Sequence, residues 1–290
     1  MASACATTGA IRDTSEPPPH PLLGLKVQVQ GLKTLTPSEV NRALSDARYI
    51  LLGEQHDNPE HHRIQARVVA EQAGPDTHVV FEMLGDPEVA ERVNDGQDIS
   101  EAWNRSGWPP FETYAPIFEA IKERGATAQA GNPCPGTVKS VVKGGLSALE
   151  ADERERLGLG QTLSDADLKA MHIEMVEVHC GHSHPGIGGM VDAQRLKDAS
   201  MAQALRDAPA RAILIAGRGH TRGDRGVPRF LGAEKTLSIA LLGVQDDKRT
   251  AKDYLDSAPG ADLLWFTTDV PSVDHCAAFR AHMKKKARSD

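Results

Sequence analysis

The chain has 290 residues, of which 40% are hydrophobic and 25% are charged, a balance typical of folded globular proteins that excludes general disorder. Its 33 Lys and Arg against 40 Asp and Glu give a formal charge of −7. This charge argues against nucleic-acid binding, because proteins of that class carry clustered basic residues.

The first residues are similar to the end of a bacterial lipobox, the motif whose Cys is lipidated after signal cleavage. Ser3-Ala4-Cys5 supplies the small residues and the Cys. The Pro-rich run that follows predicts a disordered tether over 1–24. Two interpretations stay open: Cys5 is the lipidation site of a chain whose signal peptide is absent here, or it is a chance cysteine in a disordered tail.

From residue 25 onward, short apolar runs alternate with amphipathic stretches. The apolar runs predict strands at 49–52, 79–81, 127–130, 212–216, 237–244 and 263–267. Helices are predicted to begin at Asn58-Pro59, to occupy 111–124 and 190–208, and to carry one face made of Leu168, Met171, His172, Met175 and His179. This alternation predicts an α/β fold with a mainly parallel central sheet flanked by helices. We predict one domain over 25–290 with a helical insertion at about 144–208.

Histidines and acidic residues gather where the predicted strands end. Glu54 and His56 follow the first strand, Glu82 follows the second, and His220 follows the strand at 212–216. Both histidines end the pattern Gly-x-x-His, in which glycine lets the chain turn off the strand. Ligands bind beyond the carboxyl ends of parallel strands, and two imidazoles with two carboxylates suit a divalent metal ion. The alternative is that each residue is a polar group in a hydrogen-bonded loop.

Three further polar residues follow the first strand end closely. His61, His62 and Gln65 lie in the first turns of the helix that begins at Pro59. His61 and Gln65 are four residues apart and can face the strand end, where this group would orient His56. Exposure at the start of the helix is the alternative interpretation.

A second cluster of ligand types is His179-Cys180 with His182 and His184. Cys and His suit a soft or borderline metal, so a protein that handles copper or another transition metal is one alternative. Adjacent loop residues cannot all converge on one ion, so we expect only His179 and Cys180 to support the strand-end site. The wide spacing of the cysteines after Cys5 predicts no disulfide framework.

Two long segments are similar to the signature of the ChaN-like haem-binding family. They are 51–59 together with His62, and 213–229. Shorter motifs fall between them in the expected order, at 81–83, 114–120, 179–181 and 193–202. The wider superfamily includes Tiki-type metalloproteases and erythromycin esterases. Arg218 and Cys134-Pro135 depart from the family pattern.

The resemblance implies a haem-binding lipoprotein of bacterial iron or haem uptake, forming a homodimer anchored to the cell envelope by lipid at Cys5. Haem needs an axial ligand, for which Tyr114 is the candidate among the three Tyr, and basic groups for its propionates, for which Arg222 and Arg229 are the candidates. Gln194 lies in a matched segment and is a candidate for supporting the site.

A metal-dependent hydrolase is the main alternative function. In that case His56, Glu82 and His220 would hold the ion, and Glu54 would act as general base on a metal-activated water. Whether the protein is an enzyme is left open by the sequence.

Overall fold

The computed structural model describes residues 19–160, 162–181, 186–232, 234–271 and 276. Within them one sheet contains the strands β1 (Lys26–Gln28), β2 (Lys33–Thr34), β3 (Tyr49–Glu54), β4 (Thr77–Phe81), β5 (Thr127–Ala130), β6 (Arg211–Gly217), β7 (Thr236–Gly243) and β8 (Leu263–Thr267). The order across the sheet is β2-β1-β8-β7-β3-β6-β4-β5. Every neighbouring pair from β8 to β5 is parallel, and β1 runs antiparallel to β2 and β8. The predicted α/β fold with a mainly parallel sheet is confirmed.

Helices connect and flank these strands. They are α1 (Pro37–Asp46), α2 (Pro59–Gln72), α3 (Pro87–Asn94), α4 (Ser100–Asn104), α5 (Phe111–Arg124), α6 (Pro135–Gly144), α7 (Ala151–Arg156), α8 (Asp165–Val178) and α9 (Ile187–Arg206). Asn58 caps α2 as its sequence predicts, because its Oδ1 accepts the backbone N–H of Glu60 at 3.0 Å. Gly125 ends α5 in the left-handed conformation, with φ of 64°. The helices α6 to α9 all lie in the connection between β5 and β6.

The sheet is buried on both faces. Along β3, Ile50 and Leu52 belong to the core that packs against α2 and α5, whereas Tyr49 and Leu51 belong to the core that packs against α9. Alternate residues of a strand point to opposite faces, so a strand covered on both sides is apolar throughout. This burial explains why the central strands appear in the sequence as continuous apolar runs.

Some elements differ from their prediction. The strands β1 and β2 and the helices α1, α3, α4 and α6 were not predicted, and α9 occupies 187–206 instead of 190–208. The two strands have three and two residues, which is too short for a periodic pattern. The helix α8 ends at Val178. His179, which was predicted to share a face of this helix, is therefore its C-cap residue.

A disulfide joins Cys180 to Cys276, with their Cα atoms 5.4 Å apart. The prediction that the cysteines form no disulfide was therefore wrong. A sequence separation of 96 residues says nothing about distance once the chain has folded. Cys134 is a free, exposed thiol.

Several predicted features lie outside the described residues: Cys5, the tether up to residue 18, His182 and His184. Among the residues that are described, no helix is both long and apolar enough to span a membrane.

Candidate functional site

The strand ends bring the predicted acids and imidazoles to one edge of the sheet. Glu54 is the last residue of β3, and Glu82 directly follows β4. The strand β6 lies between them, and His220 follows its end at Gly217. Parallel neighbours share the same carboxyl edge, so these side chains meet there.

Glu82 stands between the two histidines. Its Oε1 lies 3.1 Å from Nε2 of His220, and its Oε2 lies 3.6 Å from Nε2 of His56. The backbone N–H of Gly217 donates to the same Oε2 at 2.8 Å. On its other side, His220 donates from Nδ1 to Oδ1 of Asp198, a residue of α9, at 2.6 Å. One buried carboxylate thus links β4, β6 and, through His220, α9.

Glu54 forms the other half of the arrangement. Its Oε1 accepts a hydrogen bond from Nδ1 of His56 at 2.7 Å and another from the Tyr114 hydroxyl at 2.5 Å. Its Oε2 accepts from Nε2 of Gln65 at 2.6 Å and lies 3.4 Å from Nε2 of His62. Glu54, His56, Glu82, His220 and Asp198 therefore form a continuous chain, called the charge network below.

The charge network fixes the protonation of its members. Burial alone would lower the pKa of His220, but Glu82 and Asp198 outweigh it and raise that pKa to about 10. Burial would raise the pKa of Glu82, but His220 and then His56 lower it to about 2. Burial opposes the charge on Glu54 as well, and its hydrogen bonds from His56 and His62 lower the pKa of its carboxyl. At neutral pH His220 is a cation beside the Glu82 carboxylate. Burial raises the pKa of Asp198, and His220 opposes that rise.

The glycines of the two Gly-x-x-His patterns make this close approach possible. A Cβ on Gly217 would lie 2.8 Å from Nε2 of His56, and a Cβ on Gly53 would overlap the hydroxyl of Thr221. Neither glycine has positive φ. Their role is therefore to leave room for the side chains at the strand ends.

The imidazoles and carboxylates of the network pair with one another. Among the described residues, no group of three or more His, Cys, Asp and Glu is placed to hold a metal ion. Both Nε2 atoms face Glu82, and both Nδ1 atoms hydrogen-bond to a carboxylate. The residues predicted as metal ligands do come together, and in this structure the partner of their Nε2 atoms is Glu82.

The predicted supporting residues occupy different positions. His62 and Gln65 contact Glu54 directly, as described above, and Gln194 lines a small cavity of about 30 Å³ beside Asp198 and His220. His61 is buried, accepts the N–H of Gln55 at Nδ1 and pairs through Nε2 with the Thr267 hydroxyl at 2.9 Å.

The cluster at the end of α8 takes a structural form that the sequence did not predict. His179 hydrogen-bonds from its ring to the carbonyl of Met175 at 2.7 Å. Cys180 is bonded to Cys276, so it offers no thiolate for a metal. The expectation that Cys180 supports a metal site is therefore not supported.

The predicted haem ligand Tyr114 lies deep in the core. It is 0% exposed, and its ring packs 3.9 Å from that of His62. Burial and the Glu54 carboxylate raise the pKa of its hydroxyl far above the ordinary value, so it stays protonated. The other tyrosines, Tyr49 and Tyr254, are each 1% exposed. The role of Tyr114 as an iron ligand stays a prediction, and this position does not support it.

Two residues of this region were not predicted as site residues. Asp198 completes the charge network, and in the sequence it appeared only as a member of the family-like segment 193–202. Trp108 contacts His56, with their ring centres 4.8 Å apart. No pattern in the sequence indicated that contact, because Trp108 lies in the connection between α4 and α5.

The charge on His220 predicts how stability depends on pH. His220→Gln removes the cation that pairs with Glu82 and Asp198, and it should cost about 3–5 kcal/mol in the free energy of unfolding near pH 6. Because the folded pKa is about 10 and the unfolded pKa is about 6.5, the contribution of His220 is complete below about pH 6.5 and is lost as pH rises towards 10. The difference between the wild type and the variant, measured by urea unfolding, should shrink over that range.

The matched control is His172→Gln, which changes an exposed histidine of α8. It should leave the pH dependence as in the wild type. A constant offset between the wild type and His220→Gln from pH 6 to pH 10 would show that His220 is not charged in the folded state.

Comparison with known proteins places this arrangement in a family. Residues 40–231 match the family described as haem-binding uptake, Tiki superfamily, ChaN. No curated protein matches the sequence. Among solved structures, the chain is similar to ChaN of Campylobacter jejuni with cofacially bound haem, at 18% identity and a TM-score of 0.60, over 83% of this chain and 95% of that chain.

A second similar structure is the type III effector HopBA1, at 11% identity and a TM-score of 0.46, over 80% of this chain and 92% of that chain. The structural similarity to ChaN shows that the two chains share a fold, whereas the match of residues 40–231 to the family model shows the family. Since residues 40–231 are most of the chain, it belongs to the haem-binding uptake family of the Tiki superfamily that includes ChaN.

Proposed function

We propose that this protein binds haem on an exposed face of α8 and serves bacterial haem or iron uptake. The observation that carries the proposal is an exposed histidine of that helix, His172, with apolar neighbours on its side of the helix. Leu168, Ile173 and Val178 are 36%, 48% and 59% exposed, and they are three of the five large hydrophobic residues exposed in the described chain. Leu168 lies on the side of His172, whereas the spacing of five residues turns Ile173 and Val178 towards other sides of the helix.

The same helix carries a histidine that would hold the iron. His172 is exposed, Leu168 precedes it by four residues, and Met175 and Val176 follow it by three and four residues. Side chains at these spacings are neighbours on a helix, so His172 stands among apolar groups. Haem iron takes histidine as an axial ligand, and its porphyrin packs against apolar side chains. The residues of α8 therefore fit haem, with His172 holding the iron.

Two arginines contact α8 on another side of the helix. Arg222 lies 3.7 Å from Glu174 and Arg229 lies 3.6 Å from Asp167, and both acids belong to α8. Haem propionates are carboxylates and would take the same kind of pairing with a guanidinium. Glu174 and Asp167 lie about 140–160° around the helix from His172, so the propionate role of Arg222 and Arg229 stays a prediction of the family resemblance.

A homodimer follows from the way stacked haems must be enclosed. ChaN of Campylobacter jejuni binds haem cofacially. Two haems stacked face to face each present one outer face to protein, so the stack needs two protein walls. The exposed face of α8 provides one wall, and we infer that a second copy of this chain provides the other.

We also infer that the mature protein is held at the bacterial cell envelope by a lipid on Cys5. The support is the Ser3-Ala4-Cys5 motif and the Pro-rich run that follows it. When the chain is expressed behind a lipoprotein signal peptide, intact-mass measurement should find acyl chains on Cys5. Cys5→Ala should move the protein from the membrane fraction to the soluble fraction; an unmodified Cys5 in the wild type would contradict this inference.

No observation favours the hydrolase or the copper-handling alternative. The side chains required for a hydrolytic metal are hydrogen-bonded to one another, as the charge network shows. In the cluster at His179, Cys180 forms a disulfide with Cys276, so it has no thiolate to bind a metal. Haem binding is therefore the function that the geometry supports best.

Titration with hemin tests the proposal. The wild type should give a saturable Soret band, and His172→Ala should weaken hemin binding about tenfold or more, because the iron loses its ligand. Leu168→Glu should also weaken binding, because it places a charge beside His172 on the apolar face. Tyr114→Phe should leave the Soret band unchanged, since Tyr114 is buried.

The matched control is His20→Ala, which removes a half-buried histidine that hydrogen-bonds to the carbonyl of Lys248, away from α8. It should bind hemin as the wild type does. A wild type without a saturable Soret band would overturn haem binding. Full binding by both His172→Ala and Leu168→Glu would overturn the placement on α8.

A further inference from the structure

A cavity of about 630 Å³ lies at the carboxyl edge of the sheet, on the side of β4 and β5. Its apolar walls include Trp103, which is 2% exposed, Trp108, and Met83, which directly follows Glu82. The volume lies within the range of sites for small organic ligands. Indole rings in the wall favour a flat ligand, because aromatic rings stack or meet edge to face.

Basic side chains line the same cavity from three elements. Lys139 belongs to α6, Lys197 belongs to α9, and Arg105 follows α4. Arg105 pairs with Glu101, whereas neither lysine forms an ion pair in the described part of the chain. Asp86 is the acidic residue of the lining, and its side chain caps α3 through the N–H of Glu88. The excess of positive charge favours an anionic ligand.

The lining also contains an unsatisfied acceptor. Asn132 donates from Nδ2 to the carbonyl of Glu82 at 2.6 Å, which fixes the orientation of its amide. Its Oδ1 is buried and has no hydrogen-bond partner among the described residues. Buried polar atoms are nearly always paired, so this oxygen is suited to accept a hydrogen bond from a ligand.

The cavity borders the charge network. Trp108 forms part of its wall and contacts His56, with ring centres 4.8 Å apart. Parallel sheets bind ligands beyond the carboxyl ends of their strands, and this cavity has that position. It differs from the exposed face of α8 in two ways: it is concave, and no histidine or tyrosine of the described chain lines it.

We propose that this cavity is a second ligand site, which binds a flat aromatic carboxylate carrying a hydrogen-bond donor. The rings of Trp103 and Trp108 contact the aromatic body, Lys139 and Lys197 pair with the carboxylate, and Asn132 accepts from the donor. Because no histidine or tyrosine of the described chain lines the cavity, the ligand proposed is a metal-free organic anion and not haem. The site does not depend on haem binding at α8, since the two surfaces share none of these residues.

The test uses 6-hydroxy-2-naphthoate, a flat acid with a hydroxyl donor, in isothermal titration calorimetry. It should bind the wild type at one site per chain, and Lys139→Gln with Lys197→Gln should weaken binding about tenfold or more, because both cationic partners are lost. The neutral analogue 2-naphthol keeps the ring and the hydroxyl but lacks the carboxylate. It should bind the wild type and the double variant with equal, weaker affinity.

The matched control is Lys143→Gln, on the same helix as Lys139 but outside the cavity lining. It should bind the naphthoate as the wild type does. Absence of binding to folded wild type, or equal binding by the wild type and the double variant, would overturn the proposal. Trp108→Ala provides a second test, because it should weaken both aromatic probes without changing their ratio.

Competition separates this proposal from the haem proposal. Saturating naphthoate should leave the hemin titration unchanged, and His172→Ala should leave naphthoate binding unchanged. Displacement of hemin by naphthoate would show that haem itself occupies the cavity, which would overturn the second site. Failure of hemin to bind anywhere, with naphthoate bound, would overturn the haem proposal and leave the cavity proposal standing.

Discussion

The buried charge network at the carboxyl edge of the sheet is the interaction on which the rest of the structure depends. His220 is held as a cation beside Glu82 and Asp198, and all three side chains are buried. A charge in such a place is tolerated only when every partner is present, and removal of one partner costs about 3–5 kcal/mol. The charge network therefore fixes the relative positions of β3, β4, β6 and α9, which are the elements that its contacts join.

This arrangement separates the structural residues from the ligand-binding surfaces. The acids and imidazoles that the sequence offers for chemistry are paired with one another, so they serve chiefly to hold the strand ends together. Two other surfaces are open to ligands. One is the apolar, histidine-bearing face of α8, and the other is the cavity with Trp108 in its wall. We infer that the first takes haem and the second takes an aromatic anion.

Much of the fold can be predicted because burial on both faces makes central strands apolar throughout. The strand end at Glu54 and the two Gly-x-x-His patterns were also visible, because steric crowding at a strand end requires glycine. The disulfide of Cys180 and the burial of Tyr114 could not be predicted from the sequence, since both depend on contacts between distant parts of the chain. The same limit applies to Asp198, whose partner is supplied by another element.

The protonation state of His220 tests the charged character of the network most directly. The measurement is nitrogen-15 NMR at about pH 8. This pH lies above the ordinary histidine pKa of about 6.5 and below the pKa of about 10 that Glu82 and Asp198 give to His220. Both ring nitrogens of His220 should carry a proton under these conditions, and their signals should not move when a divalent cation is added. A neutral ring whose Nε2 signal shifts with added Zn²⁺ would contradict the charge network and identify His220 as a metal ligand.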